Sequence, residues 1–104
     1  MEVENEVNAH DQVVECAVVP VASTDTEQEV LAVVVSKPEE QIDSESLIRF
    51  LEPRLPYFMI PRYVRFVDAL PKTPTGKIQK YMVRELGLTE GTWDREAAGV
   101  KLKR

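Results

Sequence analysis

Two long apolar runs dominate the first third of the chain. Residues 13–21 and 29–37 are rich in valine and almost continuous in apolar residues, a pattern typical of strands that are buried on both faces. The polar residues 22–28 between them fit a hairpin connection, so we expect the two strands to pair antiparallel. A two-stranded unit of this kind needs cover on each face, and the remaining segments must provide it.

Other segments fit helices and one further strand. Residues 2–10 and 78–86 carry apolar side chains at helical spacing, whereas residues 62–67 alternate and predict a third strand. Thr92 is a natural cap for a last short helix. The order of elements indicates an α+β fold, a small sheet of about three main strands with helices packed against it.

The middle of the chain contains a helix that a proline should end. Asp43 or Ser44 is a suitable N-cap, and the leucines and isoleucine that follow have helical spacing. Pro53 conflicts with a regular helix, so we expect a break near Glu52. The apolar residues 57–60 then lie between two prolines, and we expect them to pack on the domain's own core.

Size and composition indicate one modest domain. The chain has 104 residues, 43% hydrophobic and 30% charged, with a net charge of −5. This acidity argues against nucleic acid as a bulk partner, and no apolar run is long enough to span a bilayer. Cys16 and His10 are the only residues of their types, so neither a metal site nor an internal disulfide has support. We expect a buried strand cysteine rather than a nucleophile, and a cytoplasmic protein.

The most distinctive stretch is residues 71–80, which begin Pro-Lys-Thr-Pro-Thr-Gly-Lys. The prolines fix φ, and the threonines and Gly76 suit a tight exposed turn in which Gly76 adopts a positive φ. We expect Lys77 at a loop-to-helix junction, where helix-start amides beside its ammonium would suit a phosphate or carboxylate. A P-loop is less well supported, because it requires glycine where Pro71 stands and serine or threonine where Ile78 stands.

These ten residues resemble a motif of the AMP-forming adenylate ligases, which include acyl-CoA synthetases, peptide-synthetase adenylation domains and firefly luciferase. Three further segments, residues 2–7, 15–21 and 55–64, resemble parts of that family's small C-terminal domain, although Pro20 replaces a usual glycine. The tail, residues 92–104, resembles the ends of crotonobetaine/carnitine-CoA ligase-like members.

The resemblance implies the mobile C-terminal, or lid, domain of an acyl-CoA synthetase in residues 1–88 and an extension in residues 89–104. In the family, one orientation of this domain presents the motif lysine for adenylation, and another presents an upstream loop for thioester formation. By this resemblance Lys77 is the catalytic residue, and Thr75 and Gly76 shape the nucleotide-binding loop.

Substrates and partners also follow from the resemblance. The full-length enzyme would use ATP, releasing AMP, and coenzyme A, with Mg²⁺ as the counter-ion of ATP. Its N-terminal domain, which holds most of the ATP and acyl pocket, would be the partner of this chain, together with the carboxylate of the acyl substrate. The isolated chain is expected to be inactive and to bind none of these molecules tightly.

Several alternatives remain open at this point. The motif is also compatible with an ordinary proline-rich surface turn, or with the equivalent domain of a peptide-synthetase enzyme whose acceptor is a carrier-protein thiol. A free-standing, non-catalytic interaction module would instead dock through an apolar patch around Tyr57, Phe58 and Met59. A regulatory interpretation extends the enzymatic one, with acetylation of Lys77 removing its charge.

Overall fold

The structure is a computed structural model, which describes residues 2–21, 29–37, 42–86 and 92–100. The helices are α1 (Glu2–Asn8), α2 (Ser44–Leu51) and α3 (Lys80–Leu86). The strands are β1 (Val13–Val21), β2 (Glu29–Ser36), β3 (Tyr63–Phe66) and β4 (Trp93–Asp94). The predicted hairpin connection at residues 22–28 lies outside the described residues, as do residues 101–104.

The four strands form one open mixed sheet in the order β1-β2-β3-β4. Strands β1 and β2 pair antiparallel, as predicted, and β3 then lies parallel to β2. A parallel neighbour requires a crossover connection, which α2 and the loop after it provide. The α+β class is therefore confirmed, and the short strand β4 adds a fourth member antiparallel to β3. No helix in the described residues has the length and apolar content needed to cross a membrane.

The sheet is covered on both faces, as the continuous apolar runs predicted. One face packs against α1 and α2, and its buried cluster includes Val3, Val7, Cys16, Val18, Val34, Leu47, Ile48 and Leu51. The other face packs against α3 and the segment before it, and its cluster includes Ala17, Val19, Leu31, Val33, Leu70 and Val83. Alternate residues of β1 and β2 enter opposite clusters, because side chains alternate along a strand.

Helix α2 begins and ends at the residues that the sequence indicated. The Asp43 side chain is the N-cap and accepts a hydrogen bond from the backbone N–H of Ser46 at 3.2 Å. The helix ends at Leu51, and its C-cap Glu52 directly precedes Pro53. The cap satisfies one amide that the helix itself leaves without a partner, which typically stabilises a helix by about 1 kcal/mol.

The segment after α2 packs on the core only in part, so the prediction for residues 57–60 is wrong for its first half. Tyr57 and Phe58 are 47% and 71% exposed, with their rings edge-to-face at 6.0 Å. Met59 packs against the core, and Ile60 is buried. The cause is the 3₁₀ turn Tyr57–Met59, which points successive side chains in different directions.

The short helix predicted from Thr92 is wrong, because this segment instead adds β4 to the sheet. Arg62, only 6% exposed, donates from Nε to Oδ1 of Asp94 at 3.0 Å and from Nη2 to Oδ2 at 3.2 Å. The backbone N–H of Arg95 also donates to the Arg62 carbonyl at 2.8 Å. This paired contact holds Trp93 and Asp94 in an extended form that their local sequence does not specify.

The pair also shifts the pKa of both partners. The hydrogen bond to Asp94 raises the pKa of Arg62 above its ordinary value, against the effect of burial. Desolvation opposes ionisation of Asp94, but hydrogen bonds from Arg62 and from the backbone N–H groups of Glu96 and Ala97 outweigh it. The pKa of Asp94 therefore lies below its ordinary value, and the pair favours the folded state while that carboxylate is charged.

Asp94→Asn should destabilise the protein by about 2 kcal/mol at neutral pH, because a charged hydrogen-bond partner of Arg62 is lost. An aspartate whose pKa is lower in the folded than in the unfolded protein stabilises the fold at pH values above its unfolded-state pKa, which is about 4. This stabilisation is lost as the pH falls through the folded-state pKa. Urea unfolding of both proteins at several pH values checks this, with a stability difference that shrinks below about pH 4. A difference that stays constant or grows in acid contradicts the assignment.

Two valines on adjacent strands provide a matched test of core burial. Val34 is fully buried, whereas Val14 lies at a register shift of β1 and is 55% exposed. Val34→Ala should lower the free energy of unfolding by about 2 kcal/mol, from lost apolar burial plus a cavity. Val14→Ala should lower it by less than about 1 kcal/mol. Equal effects of the two substitutions would contradict the assigned register.

Candidate functional site

The distinctive proline-rich stretch forms a small hairpin, residues 71–79, between β3 and α3. Lys72 and Ile78 pair across it in a single antiparallel bridge. The N–H of Gln79 donates to the carbonyl of Pro71 at 2.8 Å and closes the base. The loop is therefore stabilised by its own backbone hydrogen bonds and has a defined shape.

The tip of this hairpin is a tight turn that ends at Lys77. The N–H of Gly76 donates to the Thr73 carbonyl at 2.9 Å, and the N–H of Thr73 donates to the Lys77 carbonyl at 2.8 Å. The hydroxyl oxygen of Thr73 accepts from the Lys77 N–H at 3.1 Å and is 3.0 Å from the hydroxyl of Thr75. Gly76 has a φ of +90°, as predicted for the turn. These contacts give residues 73–77 a defined turn shape.

The expected helix start beside Lys77 is wrong. Helix α3 begins at Lys80 rather than at Ile78, so Lys77 lies on the hairpin and not at a helix terminus. The amides of Gly76 and Lys77 already donate within the hairpin. The group that Lys77 offers to an incoming anion is its side-chain ammonium, without help from helix-start amides.

Three lysines in this stretch have different surroundings. Lys72 pairs with Glu15 at 2.9 Å and Lys80 pairs with Glu4 at 2.8 Å. Lys77 is exposed, and its ammonium has no carboxylate within ion-pair distance among the residues that the structure describes. Of the three, Lys77 is the one whose charge remains available to a ligand.

Glu4 and Glu15 are the residues that sequence reasoning did not assign to the site. Glu4 lies in α1 and Glu15 in β1, far from residues 71–79 along the chain. Both occur in segments that carried the family resemblance, but their pairing with the motif lysines depends on the tertiary fold. No local sequence pattern predicts ion pairs between residues that lie so far apart along the chain.

Cys16 and His10 both lie in packed surroundings. Cys16 is 3% exposed, and burial, reinforced by the nearby carboxylates of Glu4 and Glu15, raises the pKa of its thiol to about 12. A thiol that stays protonated is a poor nucleophile, so the prediction of a buried strand cysteine is confirmed. His10 packs edge-on against Phe50 at 4.8 Å. Within the described ranges, no three His, Cys, Asp or Glu side chains are grouped to hold a metal ion.

Comparison with known proteins identifies the family. The family model of the AMP-binding enzyme C-terminal domain matches residues 2–77 of this chain. The chain belongs to this family. Peroxisomal trans-cinnamate:CoA ligase of Petunia hybrida is 35% identical over 94 residues, covering 90% of this chain and 16% of that protein. Mitochondrial medium-chain acyl-CoA ligase ACSF2 of Rattus norvegicus is 37% identical over 84 residues, covering 81% of this chain and 14% of that protein.

A solved structure agrees with this family in fold. ATP-bound MatB from Rhodopseudomonas palustris matches with a TM-score of 0.78 and 39% identity, over 82% of this chain and 17% of that one. The chain thus has the fold of the C-terminal domain of the AMP-forming acyl-CoA ligases, and it spans about a sixth of the length of the relatives that it matches. These comparisons do not bear on the crotonobetaine/carnitine-CoA ligase subtype, which stays a prediction.

Gly76→Ala should loosen the hairpin, because an L-residue at φ +90° is strained even though its Cβ would meet no atom within 4 Å. A penalty of about 1–2 kcal/mol corresponds to roughly 5- to 30-fold faster local opening. Amide hydrogen exchange at Thr73 and Gln79 measures that opening. A semisynthetic chain with D-alanine at position 76 is the matched control and should exchange at the native rate. Faster exchange in both variants would show that the backbone angle is not the cause.

Proposed function

We propose that this chain is the lid domain of an ATP-dependent, AMP-forming acyl-CoA ligase, and that it supplies Lys77 to an adenylation site completed by another domain. The observation that supports this is the state of Lys77. Its ammonium stands exposed beside a turn whose backbone hydrogen bonds are internal, while both neighbouring lysines are paired with carboxylates. A cation presented in this way is suited to an anion that arrives from outside the domain.

The proposed reaction is the first half of the ligase cycle. A carboxylate oxygen of the acyl substrate attacks the α-phosphorus of ATP, the bond from that phosphorus to the bridging oxygen breaks, and pyrophosphate leaves. Two anions approach one another, and negative charge accumulates on the phosphoryl oxygens. A preorganised donor aimed at those oxygens stabilises the transition state more than the ground state, which is typically worth about 10²–10³ in rate.

Thr75 and Gly76 have supporting roles in this proposal. Gly76 presents no Cβ, so the backbone of the tip is open to close approach by a nucleotide. Thr75 is exposed and shares a hydroxyl contact with Thr73 that helps to shape the tip. ATP would bring Mg²⁺ as its counter-ion, and neither is assigned to side chains of this chain alone.

The partner in this proposal is the larger domain of the same ligase, which would bind ATP and the acyl group. This is supported by the relatives, each of which is several times longer than this chain. Because those relatives are named as CoA ligases, coenzyme A is the acceptor we propose for the second half-reaction. Their names place them in peroxisomes and mitochondria, so a cytoplasmic location stays a prediction.

In the ligase that carries this domain, Lys77→Ala should lower the rate of acyl-adenylate formation by about 10²–10³. Thioester formation from a supplied acyl-adenylate should be largely unchanged, because the proposed role is specific to adenylation. Pyrophosphate release and thioester formation, assayed separately, measure the two halves. Lys37→Ala, which removes another exposed lysine, is the control. Equal loss of both half-reactions, or of neither, would count against the role of Lys77.

An interaction module is the second candidate, and the exposed rings of Tyr57 and Phe58 are the observation that favours it. It differs from the ligase proposal in its requirement for Lys77, because the binding of such a module would not depend on that side chain. Full adenylation activity in the Lys77→Ala ligase would therefore favour this second candidate.

A further inference from the structure

The hairpin that carries Lys77 is tied to the rest of the domain by a carboxylate on α1. Building on the proposed function, we propose that Glu4 is a positioning residue for adenylation. It acts through Lys80, and it sets where the hairpin holds the ammonium of Lys77. The proposal rests on contacts across the fold and not on the motif itself.

Glu4 is fixed from two sides. One contact is the ion pair with Nζ of Lys80 at 2.8 Å, immediately after the hairpin. The other is the backbone N–H of Val18, which donates to Oε2 of Glu4 at 2.9 Å. Its side chain is only 14% exposed. The strand amide restricts the orientation of the carboxylate, and the ion pair in turn restricts where the ammonium of Lys80 can lie.

The position of β1 in the sheet explains how the Glu4 carboxylate can bind a strand amide. Strand β1 is at one edge of the four-stranded sheet, so among the described residues no strand pairs with its outward-facing amides. Glu4 accepts from one of them and simultaneously reaches the start of α3. One side chain thus joins the sheet edge, α1 and the segment that follows the hairpin.

A second pair acts at the other end of the hairpin. Glu15 of β1 lies 2.9 Å from Nζ of Lys72, which is five positions before Lys77, whereas Lys80 is three positions after it. Each end of the hairpin is therefore tied to the same edge of the domain. The pairs also compensate two of the three lysine charges, which leaves the ammonium of Lys77 as the one presented outward.

The position of the Lys77 ammonium matters because, in the proposed reaction, the phosphoryl oxygens that it must reach are bound by a different domain. If the hairpin shifts on its own domain, Lys77 misses the phosphoryl oxygens even when the domains close correctly. A displacement of about 1 Å at a reacting centre is enough to lower a rate by about 100-fold. Loss of the Glu4 anchor should therefore reduce adenylation without affecting the domain's stability to the same degree.

The experiment uses the ligase that contains this domain and a double-mutant cycle on Glu4 and Lys80. Glu4→Gln removes the charge but keeps an oxygen that can accept from Val18, so the sheet edge remains satisfied. Lys80→Met removes the other partner at similar length. We expect each to lower the adenylation rate by about 10- to 100-fold, and the double variant to be no slower than either one. Thioester formation from supplied acyl-adenylate should stay at the native rate.

Three controls accompany the cycle. Glu6→Gln changes a second glutamate of α1 whose partner is Arg54, at 3.4 Å and away from the hairpin, and it should leave adenylation unchanged. Lys80→Arg keeps a cation beside Glu4 and should retain most of the rate. Thermal unfolding of every variant separates a fold defect from lost positioning.

The outcomes distinguish this proposal from the proposed function. If Lys77→Ala spares adenylation, the proposed function fails and the positioning role of Glu4 fails with it. If Lys77→Ala abolishes adenylation while Glu4→Gln is native in rate, the positioning role alone is overturned. Opposite effects of Glu4→Gln and Lys80→Met would also overturn it, because the pair would then act only through local charge. Additive losses in the double variant would exclude action through one contact.

Discussion

Burial of β1 and β2 on both faces is the constraint on which the rest of the structure depends. Two strands of almost continuous valine cannot leave either face in water, and each fully buried side chain of this size contributes about 1.5–3 kcal/mol. Helices α1 and α2 cover one face, and α3 with Leu70 covers the other. The chain must therefore pass from β3 to the second face, and the hairpin of residues 71–79 lies on that passage.

The same arrangement explains how a motif of short-range turn residues becomes a defined site. Because α3 packs close to β1, Lys80 comes within reach of α1 and Lys72 within reach of β1. Those two lysines are compensated by carboxylates, and Lys77 between them projects from a turn closed by its own hydrogen bonds. Ion pairs whose lysines are partly exposed add little to stability, and the role that we propose for these two is to position the hairpin.

The sequence predicted what depends on local patterns and missed what depends on distant partners. Strands β1 and β2 followed from apolar runs, and the end of α2 followed from Pro53. The start of α3 was placed too early because Ile78 fits a helix, whereas its bridge to Lys72 lies across the turn. Residues 92–100 were misjudged because Asp94 is held by Arg62, which is 32 positions earlier. In the candidate site, Gly76 and the exposed lysine were foreseen, but Glu4 and Glu15 required the fold.

The most direct test of the central claim is a crystal structure of the proposed full-length ligase bound to a stable acyl-adenylate analogue. Our account predicts that Nζ of Lys77 lies about 3 Å from an oxygen of the group that replaces the α-phosphate, with Glu4 still paired to Lys80. The account would be contradicted if the ammonium of Lys77 were held in an ion pair within its own domain, with no contact to the nucleotide in the adenylation state.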